Sequence, residues 1–139
     1  MRFITKDSDY AVRALVCIAK SRDFVSAREI SAKTKIPLPF LRRILRKLAE
    51  ENIIESREGV FGGVRLKQNP HLIQLERIVR LFQGDIKISE CLFRNKACPN
   101  RKTCTLRNKL KNIEIEIKKE FKKITIASLI NNHHGGKNG

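Results

Sequence analysis

The chain has 139 residues, enough for one folded core with an appended element but too few for two cores of comparable size. Its 30 Lys and Arg residues against 14 Asp and Glu residues give a formal net charge of +16, which favours a polyanionic partner. No apolar run is long enough to cross a bilayer and the N-terminus lacks the apolar stretch of a secretory signal, so we expect a cytoplasmic protein without membrane contact. Four cysteines in a reducing compartment favour metal or redox chemistry over disulfides.

The first predicted element is an amphipathic helix over residues 8 to 20. Its apolar residues recur at the spacing of one helix face: Tyr10, Ala11, Ala14, Leu15, Ile18 and Ala19. Cys17 lies inside this pattern and far in sequence from the other three cysteines. It is predicted to be a small buried core residue, because isolated thiols pack as hydrophobic groups.

A helix-turn-helix is predicted next. Ser26 and Glu29 have the spacing of a capping box, which starts a short helix that residues 35 to 37 interrupt. Pro39 suits the first turn of the second helix, which is predicted to run to about Glu51.

The second helix of this motif is basic on its outer face. Its predicted core residues are Leu41, Ile44, Leu45 and Leu48. The remaining surface carries Arg42, Arg43, Arg46 and Lys47. A basic second helix behind a tight turn is what a helix-turn-helix needs to enter the major groove of double-stranded DNA. The alternative is a charged face that meets only solvent, and the next segment favours the DNA-binding interpretation.

A glycine-rich β-hairpin is predicted after the second helix. An extended run starts at Ile53, turns through residues 58 to 63 and returns over residues 64 to 66. Three of the seven glycines lie in this turn, where they permit a tight backbone conformation and close approach to DNA. We interpret the hairpin as a wing whose basic flanks contact the sugar-phosphate backbone. The predicted DNA-contacting residues are Arg28, Pro39, Arg42, Arg43, Arg46, Lys47, Arg57, Gly62, Gly63 and Arg65.

Two more helices are predicted in the second half of the chain. A short amphipathic helix over residues 75 to 82 ends near Gly84, and a long helix starts at Thr105. The long helix has a near-heptad apolar stripe, formed by Leu106, Leu110, Ile113, Ile117, Phe121 and Ile124. Such a stripe either covers the core of its own domain or packs against a second chain. Because four helices already serve the small core, we expect a homodimer through this helix.

The predicted fold class is therefore mainly α with a small β-wing. The winged helix-turn-helix domain is expected over residues 1–84, the cysteine-rich loop over 85–105, the dimerisation helix with a C-terminal return over 106–130 and a disordered tail over 131–139.

The cysteine-rich loop contains Cys91, Cys98 and Cys104 in a C-x6-C-x5-C arrangement. Structural zinc usually uses short chelating pairs, whereas these wider arcs suit an iron-sulfur cluster, whose iron atoms need separately placed ligands. Zinc and a thiol-based redox switch without metal remain alternatives. Three thiolates leave one iron without a ligand, and the candidates are Glu90 and a residue of a partner subunit.

Several motifs in this order resemble the Rrf-two family of winged-helix regulators. The resemblance spans almost the whole chain, through TKDSDYAVRAL, ISAKTKIPLPFLRRILRKLAEENII, SREGVFGGVRL, the three cysteines and ITIASLINN. It implies a homodimer in which the long helix crosses the partner, the wing and the second helix of the motif grip a palindromic DNA operator, and the cysteines hold an iron-sulfur cluster. A 4Fe-4S cluster is favoured and a 2Fe-2S cluster is possible.

The resemblance also bears on the missing ligand. The cluster-assembly branch of the family uses a histidine three residues beyond the third cysteine, where this chain has Arg107. The nitric-oxide-sensing branch is similar to this chain in having an aspartate just before the first helix, matched by Asp9, which is implied to reach the partner's cluster. The alternative role for Asp9 is a favourable charge at a helix N-terminus. Arg42 stands where the cluster-assembly branch has an acidic residue, so Arg42 and Arg43 are expected to pair with guanine edges.

The resulting hypothesis is a dimeric transcriptional regulator, expected to be a repressor, whose cluster senses nitric oxide, redox state or iron-sulfur status. One alternative is a regulator of the same fold that acts by thiol chemistry or through a partner protein. Another is a basic iron-sulfur carrier or enzyme, although the sequence has no general-base pair, nucleophile triad or cofactor fingerprint, so we predict no enzyme activity.

Overall fold

A computed structural model describes residues 4–88 and 105–131 of the chain. Its helices and strands are α1 (Lys6–Lys20), α2 (Ala27–Thr34), α3 (Leu38–Glu50), β1 (Ile54–Arg57), β2 (Gly63–Leu66), α4 (Leu75–Gln83), α5 (Thr105–Lys123) and α6 (Ile126–Asn131). A 3-10 turn, Pro70–Leu72, precedes α4. This mainly helical arrangement with one two-stranded antiparallel sheet confirms the predicted fold class. The predicted cysteine cluster and most of the predicted tail lie outside the described residues.

Helix α1 begins two residues earlier than the apolar pattern predicted. The Thr5 hydroxyl caps the helix by accepting a hydrogen bond from the Ser8 backbone N–H at 3.3 Å. Asp9, which the resemblance placed just before the helix, therefore lies inside its first turn. Cys17, predicted to be a small buried core residue, packs against the core but is only partly buried. That burial raises the pKa of the Cys17 thiol.

The helix-turn-helix has the predicted bounds to within a residue at each end. The Ser26 hydroxyl accepts a hydrogen bond from the Glu29 backbone N–H at 3.1 Å, which confirms the serine half of the capping box. The Glu29 carboxylate lies 3.1 Å from the Lys33 ammonium group. Between the two helices, Lys35 adopts a left-handed φ of 64°, and the buried Ile36 fixes the turn on the core. This tight turn sets the angle between α2 and α3.

The wing is attached to the body by a third extended segment. Strands β1 and β2 pair with Ile54 opposite Leu66 and Arg57 opposite Gly63. Val25 adds a bridge to Val64, with N–H to carbonyl oxygen distances of 2.9 and 2.8 Å in the two directions. Gly63 has a φ of +144°, and a Cβ added there would lie 2.3 Å from the Val25 carbonyl oxygen. Only glycine allows the strand to approach Val25 so closely.

The last helix returns to the body, while the long helix before it stays at the surface. Ile126 of α6 is fully buried in the same core as α1, and its backbone N–H donates to the Ile73 carbonyl at 2.9 Å. The Leu75 N–H donates to the Ile124 carbonyl at 2.8 Å, just past the end of α5. Helix α5 packs against α4 but buries none of its own described side chains. Across residues 4–88 and 105–131, no helix is long and apolar enough to cross a membrane.

Candidate nucleic-acid interface and its link to the cysteine segment

The outer face of α3 presents four exposed basic side chains. The helix buries Leu41, Ile44 and Leu48, each at most 1% exposed, and its 3.6-residue period turns the intervening residues to solvent. The exposed set is Arg42, Arg43, Arg46 and Lys47. Pro39 in the first turn of α3 and Arg28 on α2 are exposed as well. All residues of the helix-turn-helix that were predicted to contact DNA are therefore exposed to solvent.

These cations differ in their intramolecular partners. The Arg43 guanidinium lies 3.1 Å from the Asp7 carboxylate of α1 and 5.2 Å from the Phe40 ring centroid. The Lys47 ammonium lies 5.5 Å from the Phe82 ring centroid. Arg42 and Arg46 make no hydrogen bond or ion pair within the described ranges, so both charges are available to an anionic partner.

The wing arginines are held more firmly. The guanidinium carbons of Arg57 and Arg65 lie 4.1 and 4.4 Å from the centroid of the same Phe24 ring. Arg57 donates to the Phe61 carbonyl at 2.9 Å, and the Arg65 Nε atom lies 2.6 Å from a Glu55 carboxylate oxygen. Stacking and hydrogen bonding together restrict the rotamers of both side chains, so the basic surface of the wing is preorganised.

Gly62, predicted to let the backbone approach DNA, has a steric role inside the wing. Its N–H donates to the Gly59 carbonyl at 3.0 Å and closes the turn at the tip. A Cβ at this position would lie 2.1 Å from the Arg57 carbonyl oxygen. The turn itself therefore requires glycine, as β2 does at Gly63. A DNA contact by either glycine stays a prediction.

The first turn of α1 is a junction between three parts of the molecule. The Asp9 carboxylate pairs with Arg13 at 3.1 Å and keeps 44% of its side chain exposed. The neighbouring carboxylate of Asp7 contacts α3 through Arg43. At the end of α4, the Gln83 side-chain oxygen accepts hydrogen bonds from the Thr5 N–H at 2.9 Å and from the buried Ser8 hydroxyl at 2.7 Å. The segment that leads to the cysteines begins directly after α4.

Of the four predicted metal ligands, Asp9 is described, and Cys91, Cys98 and Cys104 lie outside the described residues. Among the residues that are described, no group of three or more His, Cys, Asp or Glu side chains could hold a metal. The segment preceding the cysteines is fixed to α5, because the Ile88 N–H donates to Glu114 at 2.8 Å and Asp85 lies 3.7 Å from Lys118. The Asp9 carboxylate is partly exposed and pairs with Arg13.

Helix α5 has the exposed apolar stripe that an interface between chains requires. Leu106 is 66% exposed and Ile113 is 49% exposed, while Leu110, Ile117 and Phe121 are partly exposed. Ile115, outside the predicted stripe, is 47% exposed. The predicted dimerisation residue Ile124 lies beyond the last residue of the helix and is also partly exposed.

Three contributors to this surface were missed in the sequence. Asp7 and Gln83 act through partners 36 and at least 75 residues away, so no local pattern marks them. Phe24, which supports both wing arginines, precedes the predicted capping box and belongs to no apolar stripe. An isolated aromatic residue between two elements was the only available signal.

Residues 4–132 match the family profile described as Rrf2, iron-dependent transcriptional regulator. An HTH-type transcriptional regulator of Aquifex aeolicus is 33% identical over 125 residues, covering 88% of this chain and 87% of that protein. The HTH-type transcriptional regulator NsrR of Bacillus subtilis is 26% identical over 132 residues, covering 93% and 90%. In fold, the chain is similar to CymR, the global cysteine regulator of B. subtilis, with a TM-score of 0.75 and 21% identity over 94% of this chain and 98% of that one.

Proposed function

The chain belongs to the Rrf2 family of iron-dependent transcriptional regulators, and from that premise we propose that it is a cytoplasmic, homodimeric repressor whose DNA binding is set by an iron-sulfur cluster. It is a DNA-binding regulator of transcription, like its relatives, which are not enzymes. One observation carries the finer proposal. The first turn of α1 contains the candidate ligand Asp9 and also contacts the recognition helix α3 through Asp7 and Arg43.

The proposed ligands are Cys91, Cys98 and Cys104 of one subunit and Asp9 of the partner subunit. Three thiolates match the donors that iron-sulfur clusters use, and a family of iron-dependent regulators supports iron over zinc. When bound, the cluster supplies iron that nitric oxide or oxygen can attack, most readily at a corner held by a carboxylate. We favour a 4Fe-4S cluster over a 2Fe-2S cluster.

The chain's own contacts provide a route from that site to DNA. To act as a ligand, the Asp9 carboxylate must turn one oxygen to the cluster, and its Oδ2 atom now lies 3.1 Å from Arg13, four residues further along α1. The same helical turn is joined to the end of α4 through Gln83 and to α3 through the Asp7–Arg43 ion pair. A change in the position of this turn therefore alters the restraint on Arg43, one of the two residues expected to contact guanine.

The size of this coupling follows from the exposure of the ion pair. The Arg43 and Asp7 side chains are 59% and 41% exposed, so solvent screens their attraction. Such a pair contributes about 0.2–1 kcal/mol. A homodimer that meets two half-sites together would sum the two contributions to about 2 kcal/mol at most, which corresponds to an effect of up to about thirtyfold on DNA affinity.

Dimerisation through α5 would complete the DNA-binding unit. An exposed leucine or isoleucine contributes about 1.5–3 kcal/mol when it becomes fully buried, and the stripe offers several such residues on one face. Because α5 buries none of its described side chains in its own chain, the alternative that this stripe serves the monomer core loses support. Two recognition helices in a symmetric dimer match a palindromic operator with half-sites one helical turn apart.

Anaerobic purification tests the proposal. The expected product is brown, with visible absorption that stepwise exposure to nitric oxide or oxygen removes, together with a change in affinity for a duplex selected from random-sequence DNA. Cys98→Ala should abolish the absorption without unfolding the protein, and Asp9→Ala should weaken or alter it. Cys17→Ala is the matched control and should keep the absorption, because Cys17 packs at the edge of the core. A normal cluster in both the Cys98 and the Asp9 variants would overturn the ligand assignment.

The second candidate is a regulator of the same fold that acts through thiol chemistry or a partner protein. The structural likeness to CymR supports the shared fold and leaves the signal open. A colourless protein whose three clustered cysteines react rapidly with an alkylating agent under anaerobic conditions would favour this candidate. Burial raises the pKa of the Cys17 thiol, so Cys17 should react slowly in either case and serves as an internal reference.

A further inference from the structure

The wing tip exposes two adjacent large apolar side chains that have no function within the fold. Val60 is 94% exposed and Phe61 is 86% exposed, higher values than for any other large hydrophobic residue in the described ranges. Single exposed hydrophobic residues are common at protein surfaces. A valine and a phenylalanine together at the end of a projecting hairpin form a local apolar surface that a partner could cover.

Hydrogen bonds define the backbone of the tip, although its side chains are exposed. The Phe61 carbonyl accepts a hydrogen bond from Arg57 at 2.9 Å, and the Gly62 N–H closes the turn on Gly59 at 3.0 Å. The base of the hairpin is fixed to the body through the bridge between Val25 and Val64. Because these bonds already define the backbone of the tip, binding of a partner would carry little additional entropic cost of ordering the backbone.

The charges around the tip indicate which partner it fits. Arg57 and Arg65 stand on the strands directly behind it, and both stack on Phe24. Glu55 and Asp23 lie 2.6 and 3.9 Å from Arg65, and Glu58 is exposed at the tip, whereas Arg57 has no carboxylate partner within the described ranges. An apolar tip with the Arg57 cation directly behind it suits double-stranded DNA, where bases lie inside a groove bordered by phosphates. The minor groove is about 6 Å wide. Proteins that bind there often insert an apolar side chain between base pairs and bend the duplex.

We propose that Phe61, supported by Val60, is an apolar wedge that enters the minor groove beside the half-site, partly unstacks one base step and bends the DNA. This inference rests on the proposed function to the extent that α3 occupies the adjacent major groove. The wedge favours a flexible pyrimidine–purine step at the wing position, because such steps unstack most easily. The wing thereby contributes sequence preference through DNA deformability as well as affinity through its arginines.

A base-stacking probe tests the wedge. A duplex selected by the wild-type protein from random-sequence DNA is synthesised with 2-aminopurine at one position at a time, since the fluorescence of this base rises when it loses a stacking neighbour. The wild-type protein should raise the fluorescence at one step per half-site and bend the duplex in a circular-permutation gel assay. Phe61→Ser should remove both effects and weaken binding about tenfold. Phe61→Leu, which keeps an apolar tip, should retain most of each effect.

The outcomes separate the wedge from the proposed function. If Phe61→Ser binds DNA with unchanged fluorescence and bending, the wedge is wrong and the regulator proposal stands. If the wild-type protein selects no duplex, both fail. If Phe61→Ser changes the oligomeric state in sedimentation while the fluorescence response persists, the tip contacts a second copy of the chain and the wedge is likewise wrong. A midpoint of thermal unfolding equal to that of the wild type shows that both variants are folded.

Discussion

The recognition helix and the wing both present arginines, but they hold them in different ways. In α3, Arg42 and Arg46 make no hydrogen bond or ion pair within the described ranges, and Arg43 is tied to a separate element through the exposed contact with Asp7. In the wing, Arg57 and Arg65 are bonded within the hairpin and stacked on Phe24. The wing arginines are therefore held within their own hairpin, whereas a shift of α1 would change the restraint on Arg43.

The largest effect is expected from a variant that disrupts the contact between the wing and Val25. Gly63→Ala places a Cβ 2.3 Å from the Val25 carbonyl oxygen in a backbone with a φ of +144°. The unfavourable φ alone costs about 1–3 kcal/mol, and relief of the clash must separate the wing from the body. Urea unfolding should show a stability loss of at least this size, together with weaker binding to every duplex.

Gly59→Ala is the matched control for that variant. Gly59 also has a positive φ, +108°, but nothing lies within 4 Å of an added Cβ. It should show the conformational cost without the steric one. Equal losses from the two variants would mean that the contact between β2 and Val25 does not fix the wing.

Arg43→Ala should have the next largest effect. Loss of a bidentate arginine–guanine contact costs about 1–3 kcal/mol against the preferred base and relaxes the preference at that position. Fluorescence anisotropy with the selected duplex and with single-base variants measures both quantities. An affinity loss that is the same for every base at every position would contradict a base-reading role.

Arg65→Ala should have a smaller and uniform effect. A lost phosphate contact weakens binding to all sequences about equally and reduces the slope of log affinity against log salt by about 1. Glu55→Gln is the matched control, because it removes the carboxylate 2.6 Å from Arg65 while the arginine remains. The control should bind at least as well as the wild type. If the Arg65 and Arg43 variants change base preference equally, the division between wing and recognition helix is wrong.

The smallest expected effect tests the link between α1 and α3. Asp7→Asn breaks an exposed ion pair of about 0.2–1 kcal/mol in each subunit, so the ratio of DNA affinities with and without the cluster should fall toward unity, by about 2 kcal/mol at most in the dimer. Glu50→Gln removes the same charge from the groove that Asp7 and Arg43 line, and should leave the ratio unchanged. An unchanged ratio in Asp7→Asn would show that the contact with Arg43 carries no coupling, and an equal fall in both variants would show that only net charge matters.

The sequence predicted the elements well because their signals are local. The Ser26 cap, the proline in the first turn of α3, the glycine-rich turn of the wing and the end of α4 near Gly84 all depend on residues a few positions apart. The N-terminus of α1 was missed by two residues because the apolar stripe begins later than the Thr5 cap.

The relation between elements was much less predictable. The contacts of Asp7 with Arg43 and of Gln83 with Ser8 depend on where three helices meet. Phe24 acquires its role from a diagonal pair of arginines on two strands, which no spacing in the chain indicates. The sequence identified most of the cations on the candidate surface but could not distinguish the restrained from the unrestrained ones.

In the proposed regulator, an iron-sulfur cluster sets the DNA affinity of the folded dimer. The most direct measurement is anaerobic binding of one selected duplex by the iron-replete protein and by the same preparation after the iron has been removed, at equal salt and protein concentration. We expect affinities that differ by up to about thirtyfold, with both forms dimeric. Indistinguishable affinities for two folded, dimeric forms would contradict the claim and leave a DNA-binding regulator whose signal is not a cluster.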